Sequence, residues 1–222
     1  MRIRTTGVII FLILYHLSSI CRASSIFHRV VFVHDGDTVL LENGDRVRYA
    51  GIDCPEIDHE GGKSQFMAFA AREFNGNLLK GRSVRLEYDV KRRDRYGRIL
   101  AYVFLRNGDM VNTLIVGKGL AHVLSTRPNL RYRGMLVRFQ RKAMEERLGI
   151  WSRPLKSTGG KVMGSRRSFR FHRPDCPAGR KISGKNLIRF RSAREAFWEG
   201  YSPCKRCNPG FGLNHGHSRG RD

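Results

Sequence analysis

Residues 34–57 read HDGDTVLLENGDRVRYAGIDCPEI, and their reading decides the fold. Thr38–Leu41 and Arg46–Ile52 are β-branched or apolar runs that fit short strands. Between them, Asn43-Gly44 is a two-residue hairpin signal, because both residues accept positive φ. Asp35-Gly36 marks another tight turn after the strand-like run Ile26–Val33. The same turns and strand ends carry chemistry. Asp37 follows the first turn, Asp53 and Glu56 flank Cys54-Pro55, and Arg48 lies within the second run. Carboxylates beside an arginine suit a hard cation and a phosphate together. The acids offer oxygen ligands and the guanidinium a bidentate anion clamp. Taken alone, the stretch fits two ordinary Asp- and Gly-rich surface turns equally well. The rest of the chain separates the two readings.

Downstream, Ser64 is a candidate N-cap for a helix over Gln65–Asn77, with Phe66, Phe69, Ala70 and Phe74 at helical spacing as its core stripe. Ser83–Tyr88 and Arg98–Leu105 read as two more strands. Val111–Gly117 reads as a short helix and Ala121–Leu124 as a short extended piece. Leu130–Leu148 reads as a helix with Leu136, Phe139, Ala143 and Met144 on one face. Gly149 ends it, and Ile150-Trp151 should pack back on the core. Five strands with a helix between the third and fourth predict an α+β fold, a five-stranded OB-fold barrel with about three helices.

Such a barrel can bring Arg98, from Asp94-Arg95-Tyr96-Gly97-Arg98, beside Asp37, Asp53 and Glu56, with Arg48 opposite. Phosphodiester hydrolysis needs a set of this kind. A dication neutralises the phosphate, guanidiniums stabilise the five-coordinate transition state, and a carboxylate orients or deprotonates the attacking water. Oxygen ligands without a nearby histidine favour Ca²⁺ or Mg²⁺ over zinc.

Charge points the same way. The 222 residues hold 42 Lys+Arg against 19 Asp+Glu, a net +23, which predicts a polyanionic partner: nucleic acid or an anionic membrane surface. Residues 1–23 resemble a secretion signal, with Arg2 and Arg4 ahead of the apolar run Val8–Leu14, then Cys21-Arg22-Ala23. The expectation is an exported, periplasmic or extracellular protein; left uncleaved, the segment would anchor it to a membrane.

In order and spacing, DGDTV, VRYAGIDCPE, DRYGR, MVNTLIVGKGLA and GIW resemble the thermonuclease (staphylococcal-nuclease-type) family over about residues 26–153. The resemblance implies an OB-fold barrel and Ca²⁺-dependent hydrolysis of DNA and RNA to 3′-phosphate ends. By motif position it implies Asp37, Asp53 and the Cys54 carbonyl as Ca²⁺ ligands. Glu56 becomes the general base or water positioner, and Arg48 and Arg98 become the binders of the scissile phosphate. One departure stands out. The archetype carries two nucleotide-contacting tyrosines after its GLA motif, whereas here Gly119-Leu120-Ala121 is followed by His122–Pro128 without a tyrosine. Tyr132 is the nearest one.

A second constellation lies near the C-terminus: His172-x₃-Cys176, then Cys204-x₂-Cys207 bracketed by Pro203 and Pro209. Four nitrogen and sulfur ligands predict a closed tetrahedral zinc site, whose binding folds a unit too small to hold its own core. A Cys204–Cys207 disulfide is the alternative, since an exported protein can form one. FHRPDCP and GYSPCKRCNP also resemble the zinc module of the Ada methylphosphotriester repair proteins over about residues 168–209. That family accepts a methyl group on its first cysteine ligand; His172 holds the position here, which argues against methyl transfer. Arg166, Arg167, Arg170, Arg173, Arg189 and Arg191 make the unit a candidate nucleic-acid-binding accessory.

The expected organisation is a signal segment 1–23, a nuclease-like barrel 24–154, a linker 155–168, a zinc module 169–209 and a disordered tail 210–222, in a monomer. The rival to an enzyme is a non-catalytic OB-fold and zinc-module protein that binds nucleic acid.

Overall fold

The computed structural model describes residues 26–155 and 160–210. The predicted signal segment, and the predicted tail beyond Gly210, lie outside the described residues. Strands β1 (Phe27–Asp35), β2 (Thr38–Leu41) and β3 (Arg46–Tyr49) form an antiparallel meander. Gly44, at φ 84°, turns the chain between the last two. After the two-residue β4 (Ile52–Asp53) comes α1 (Ala68–Leu79), then β5 (Ser83–Arg93) and β6 (Ile99–Phe104). The strands close into a barrel in the order β1-β2-β3-β6-β5, with β3 and β6 parallel. This is the OB topology expected from the run of strand and turn signals. Inward residues such as Val30, Val39, Val47, Val84 and Ala101 fill it.

Helix α1 starts later than the Ser64 cap predicts. Met67 precedes it in the left-handed region (φ 68°), while the Ser64 hydroxyl accepts the Asp58 N–H. The delay rotates the helix, so its buried face is Ala68, Ala71, Asn75 and Leu79. Of the predicted stripe, Phe69 is 62% exposed, Phe66 lies under the Arg153 guanidinium, and Ala70 and Phe74 pack only partly on the core.

Helix α2 (Val111–Gly117) leads to β7 (His122–Val123), which pairs antiparallel with β4 and sets His122 opposite Asp53. Helix α3 (Arg133–Glu145) buries Leu136, Val137, Gln140, Ala143 and Met144, leaving Phe139 near the surface. The chain then makes a 3₁₀ turn, Gly149–Ser152, that buries Ile150 and Trp151. Gly119 and Gly149 both have positive φ, and each backbone fills the space where the other's Cβ would lie, so Ile150 N–H donates to Gly119 O at 2.8 Å.

The C-terminal unit consists of β8 (Val162–Ser165), β9 (Arg170–His172), α4 (Pro177–Arg180), β10 (Leu187–Phe190), α5 (Ala193–Trp198) and β11 (Ser202–Pro203). Its sheet runs β10-β8-β9-β11. Strand β8 occupies part of the stretch 155–168 expected as a linker. Its glycine and serines read as loop, but Val162 is buried and Gly164 lets the rings of Phe190 and Tyr201 approach.

The unit is docked on the barrel domain. Ala143, Met144, Ile150 and Trp151 share one core with Phe171, Phe190, Ala196, Phe197 and Tyr201. Helix α5 ends against α3, whose side chains take up its terminal carbonyls. Gln140 Nε2 donates to Phe197 O, Arg141 Nε to Trp198 O at 2.9 Å and Arg133 Nη2 to Glu199 O at 2.7 Å. Ser125 Oγ reaches Gly200 O at 3.1 Å. Two arginines at a helix C-terminus satisfy unpaired carbonyls and match the helix dipole, at about 0.3–1 kcal/mol each.

Candidate active site and metal centre

Gly36 lets the β1–β2 turn lie directly against the β4 end: a Cβ there would fall 2.6 Å from Cys54 Sγ and 2.7 Å from Ala71 Cβ. The approach sets Asp37, nearly fully buried, where its Oδ2 accepts the Cys54 N–H at 2.7 Å. Asp35 Oδ1 accepts the Asp37 N–H at 3.0 Å, and the Thr38 hydroxyl donates to Asp37 Oδ1. Strand β3 delivers Arg48 between the acids. Its Nη1 lies 2.9 Å from Asp37 Oδ2 and also donates to Tyr49 O and Ile52 O, while Nη2 engages Asp53 Oδ1. The arginine is only 8% exposed, so its charge is spent mainly inside this cluster.

One guanidinium thus serves two carboxylates. Burial pushes Asp37 well above the usual carboxylate range, and Arg48 offsets only part of this while Asp35 and Asp53 add repulsion. Burial also opposes the charge on Asp53, but Arg48, then His122, Lys205 and Arg170, hold it below the usual range. Glu56 is exposed, yet desolvation, with Asp53 and Asp35 next, raises its pKa. Its backbone is fixed by a reciprocal pair with Gln65: Glu56 N–H to Gln65 Oε1 and Gln65 N–H to Glu56 O, both 3.0 Å. Burial likewise pushes the Cys54 thiol far up, which keeps it neutral and leaves its backbone as the polar part facing the acids. Hard oxygen donors in negative excess fit a hard cation rather than a soft one.

Arg98 enters at the start of β6. Asp94 Oδ2 holds its Nε at 2.8 Å, and the exposed Tyr96 ring lies between Arg95 and Arg98. Among the described residues, Arg98 is held by Asp94 and not by the acid cluster, and no hydrogen bond occupies its Nη groups. Tyr132, the nearest tyrosine after the GLA motif, is turned to the barrel wall, donating to Glu87 Oε1 and packing edge-on to Tyr102.

His122 joins the site through the β4–β7 pairing. Its Nε2 lies 3.8 Å from Asp53 Oδ2, and its Nδ1 is 3.1 Å from Val123 O. Burial lowers its pKa more than Asp53 raises it.

Residues 46–153 match the family of staphylococcal nuclease homologues. The thermonuclease of Staphylococcus intermedius is 38% identical over 124 residues, covering 54% of this chain and 73% of the relative. The chain belongs to the staphylococcal nuclease family. It is a phosphodiester-hydrolysing nuclease whose substrate is nucleic acid. The thermonuclease of Staphylococcus hyicus is 35% identical over 128 residues, 56% of this chain and 75% of the relative. Endonuclease YncB of Bacillus subtilis is 36% identical over 124 residues, 54% and 58% respectively.

Residues 150–210 match the metal binding domain of Ada. Within this nuclease they assemble the zinc site predicted from sequence. One ligand atom each from His172, Cys176, Cys204 and Cys207 lies within 4.8 Å of all the others, and Cys176 Sγ is 3.5 Å from His172 Nδ1. A tetrahedral zinc ion with Zn–S near 2.3 Å separates its sulfurs by about 3.8 Å, which this cluster accommodates. All three cysteines are free thiols, so Cys204 and Cys207 are not joined in a disulfide. A hydrogen bond from Cys207 brings Cys204 down to about 3, and the same pair pushes Cys207 up.

The predicted nucleic-acid arginines separate by environment. Arg173 pairs with Asp175 and Arg191 with Glu195, while Arg166, Arg167 and Arg189 are exposed. Arg170 alone is half-buried and directed inward, donating to Pro203 O at 3.2 Å. His122, Gln140 and Lys205 were not among the sequence candidates. Only their position next to the GLA and CxxC motifs, or on a helix face, hints at them, because their partners lie far along the chain.

Proposed function

We propose that this nuclease is an exported, Ca²⁺-dependent enzyme that hydrolyses both DNA and RNA and leaves 3′-phosphate ends. The observation that carries it is the convergence of Asp37, Asp53 and Arg48 beside the segment after β4, where Glu56 stands with a raised pKa. Asp37, Asp53 and the Cys54 carbonyl would hold Ca²⁺, which when bound neutralises phosphate charge and acts as a Lewis acid at the phosphoryl oxygen. Glu56 orients the attacking water and accepts its proton, and its raised pKa brings it closer to the working pH. Arg48 fixes the two aspartates, and Arg98 turns free Nη groups to the scissile phosphate. Water oxygen bonds to phosphorus as the bond to the 5′ oxygen breaks, giving a 3′-phosphate and, after protonation, a 5′-hydroxyl.

Export rests on Arg2, Arg4 and the apolar run Val8–Leu14. Incubating the mature chain with single- and double-stranded DNA and with RNA, in Ca²⁺ or without it, tests the reading. Cleavage of both polymers only with Ca²⁺ is expected, giving 5′-hydroxyl ends that a polynucleotide kinase labels directly and 3′ ends that a polymerase extends only after phosphatase treatment. Equal cleavage without Ca²⁺, or 5′-phosphate products, would overturn it.

A further inference from the structure

The segment after the GLA motif is where this chain lacks the family's tyrosines. In this structure it is covered by the zinc module. Phe197 packs its ring 5.6 Å from His122, Ser125 Oγ donates to Gly200 O, and the Arg127 guanidinium lies over the Phe169 ring. His122 in turn faces Asp53 at 3.8 Å. The module therefore adjoins the acid cluster through His122.

Two of its cations belong to the elements next to that contact. Strand β9 pairs with β11 so that Arg170 is opposite Ser202, and Arg170 Nη1 bonds Pro203 O, the carbonyl just before the zinc ligand Cys204. Lys205 is exposed on the knuckle between Cys204 and Cys207. Both cations lie near enough to the acid cluster for their charge to be felt at Asp53, though neither touches it. Unlike Arg173 and Arg191, neither has an ion-pair partner among the described residues. Cations at an acid cluster that lack a carboxylate of their own leave their charge to an incoming anion.

We propose that the zinc module forms one wall of the nuclease site, on which Lys205 and Arg170 bind the strand phosphate next to the scissile one. The zinc ion, by joining Cys204 and Cys207 to His172 and Cys176, then fixes the loop that carries Lys205. Substrate capture is thereby transferred from the stretch after Ala121 to a different part of the chain. The ligand class is the phosphodiester backbone of a single strand, without base readout. This rests on the hydrolytic reading above, and the two fail separately, because capture is measured where hydrolysis is disabled.

The test uses the full mature chain, loaded with zinc, in a Glu56→Gln background. Binding of a fluorescent single-stranded oligonucleotide is followed by anisotropy across a salt series. Lys205→Ala should weaken binding about three- to tenfold near 0.1 M salt. It should also reduce the slope of log K against log salt by about 0.7, one phosphate contact on a single strand. Lys205→Arg should restore both, and zinc should remain at one per chain in each variant. With Glu56 intact, Lys205→Ala should raise KM by a similar factor and leave kcat within about twofold. Lys181→Ala, an exposed charge elsewhere on the module, is the control and should change little. Unchanged affinity and salt slope in Lys205→Ala with zinc retained would overturn the proposal. So would an equal loss in Lys181→Ala, which would mean diffuse charge rather than a site. If the unmodified chain fails to cleave while Lys205-dependent binding persists, the hydrolytic reading fails and the wall stands.

Discussion

Glu56 differs from Asp37 and Asp53 in its company. The two aspartates share Arg48, whereas among the described residues nothing holds the Glu56 carboxylate, and only its backbone is fixed. A group with that freedom and a raised pKa can take a proton from water, while a carboxylate locked to arginine cannot. Glu56→Gln keeps the side-chain shape and removes the base. It should lower kcat by at least about 10²-fold, with oligonucleotide affinity and far-UV ellipticity unchanged. Turnover within tenfold of the parent would remove Glu56 from its role. The acids were legible in the sequence because turn chemistry and strand ends place them near one another along the chain. Capture of Arg48 by both aspartates was not, since it depends on how far the guanidinium reaches inside the barrel. His122 was invisible for a related reason: the β4–β7 register joins residues far apart in sequence.

At the level of elements, local signals marked the barrel strands well and the helix faces less well. Asn43-Gly44 and the alternating runs fix strand register locally, whereas the start of α1 is decided by the turn at Met67. A shift of the start changes which side of a helix faces the core, which is how Phe69 comes to be exposed. The entry to α3 is set by tertiary contacts that no sequence pattern announced. Glu87 on β5 accepts from Arg131 Nη1 and the Tyr132 hydroxyl, both at 2.7 Å, and from Arg85. Asp89 accepts the Arg131 N–H at 2.9 Å. Glu87 is therefore the tether between the barrel wall and α3. Burial opposes its charge, but the Tyr132, Arg131 and Arg85 bonds prevail and hold its pKa below 4.5. Glu87→Gln should cost about 1–2 kcal/mol near pH 7. Because the folded pKa is the lower one, this stability is present above the unfolded pKa and is lost as pH falls through the folded value. Urea melts of the two proteins should differ at pH 7 and converge at acid pH below the ordinary glutamate range. A gap that persists there would mean the tether is not electrostatic.

The whole molecule is built more tightly than a barrel with an appendage on a linker. Phe197, fully buried in the zinc module, has Trp151, Phe171 and His122 around it at ring distances of 5.1, 5.0 and 5.6 Å. Gln140, also fully buried, accepts the Val123 N–H with one end and donates to Phe197 O with the other. The sequence showed the module's four ligands through their spacing, but its docking partners are single apolar and amide side chains without a spacing pattern. A shared core makes the two parts unfold together. Zinc, which binds the folded module, then stabilises the barrel as well, by about 3 kcal/mol at a free concentration one hundred times its dissociation constant. For a chain of this length, stripping zinc should lower Tm by about 6–12 °C. The two tryptophans give a direct reading, since Trp151 lies in the shared core and Trp198 packs at its edge under Arg141. In zinc-loaded protein, tryptophan fluorescence and far-UV ellipticity, which follows mainly the larger barrel domain, should melt on one curve. Phe197→Ala, removing about 3–5 kcal/mol of buried contact, should lower that single midpoint while zinc remains bound. Two resolved transitions in the zinc-loaded parent would show that barrel and module fold apart, and that zinc has no route to the active site through their common core.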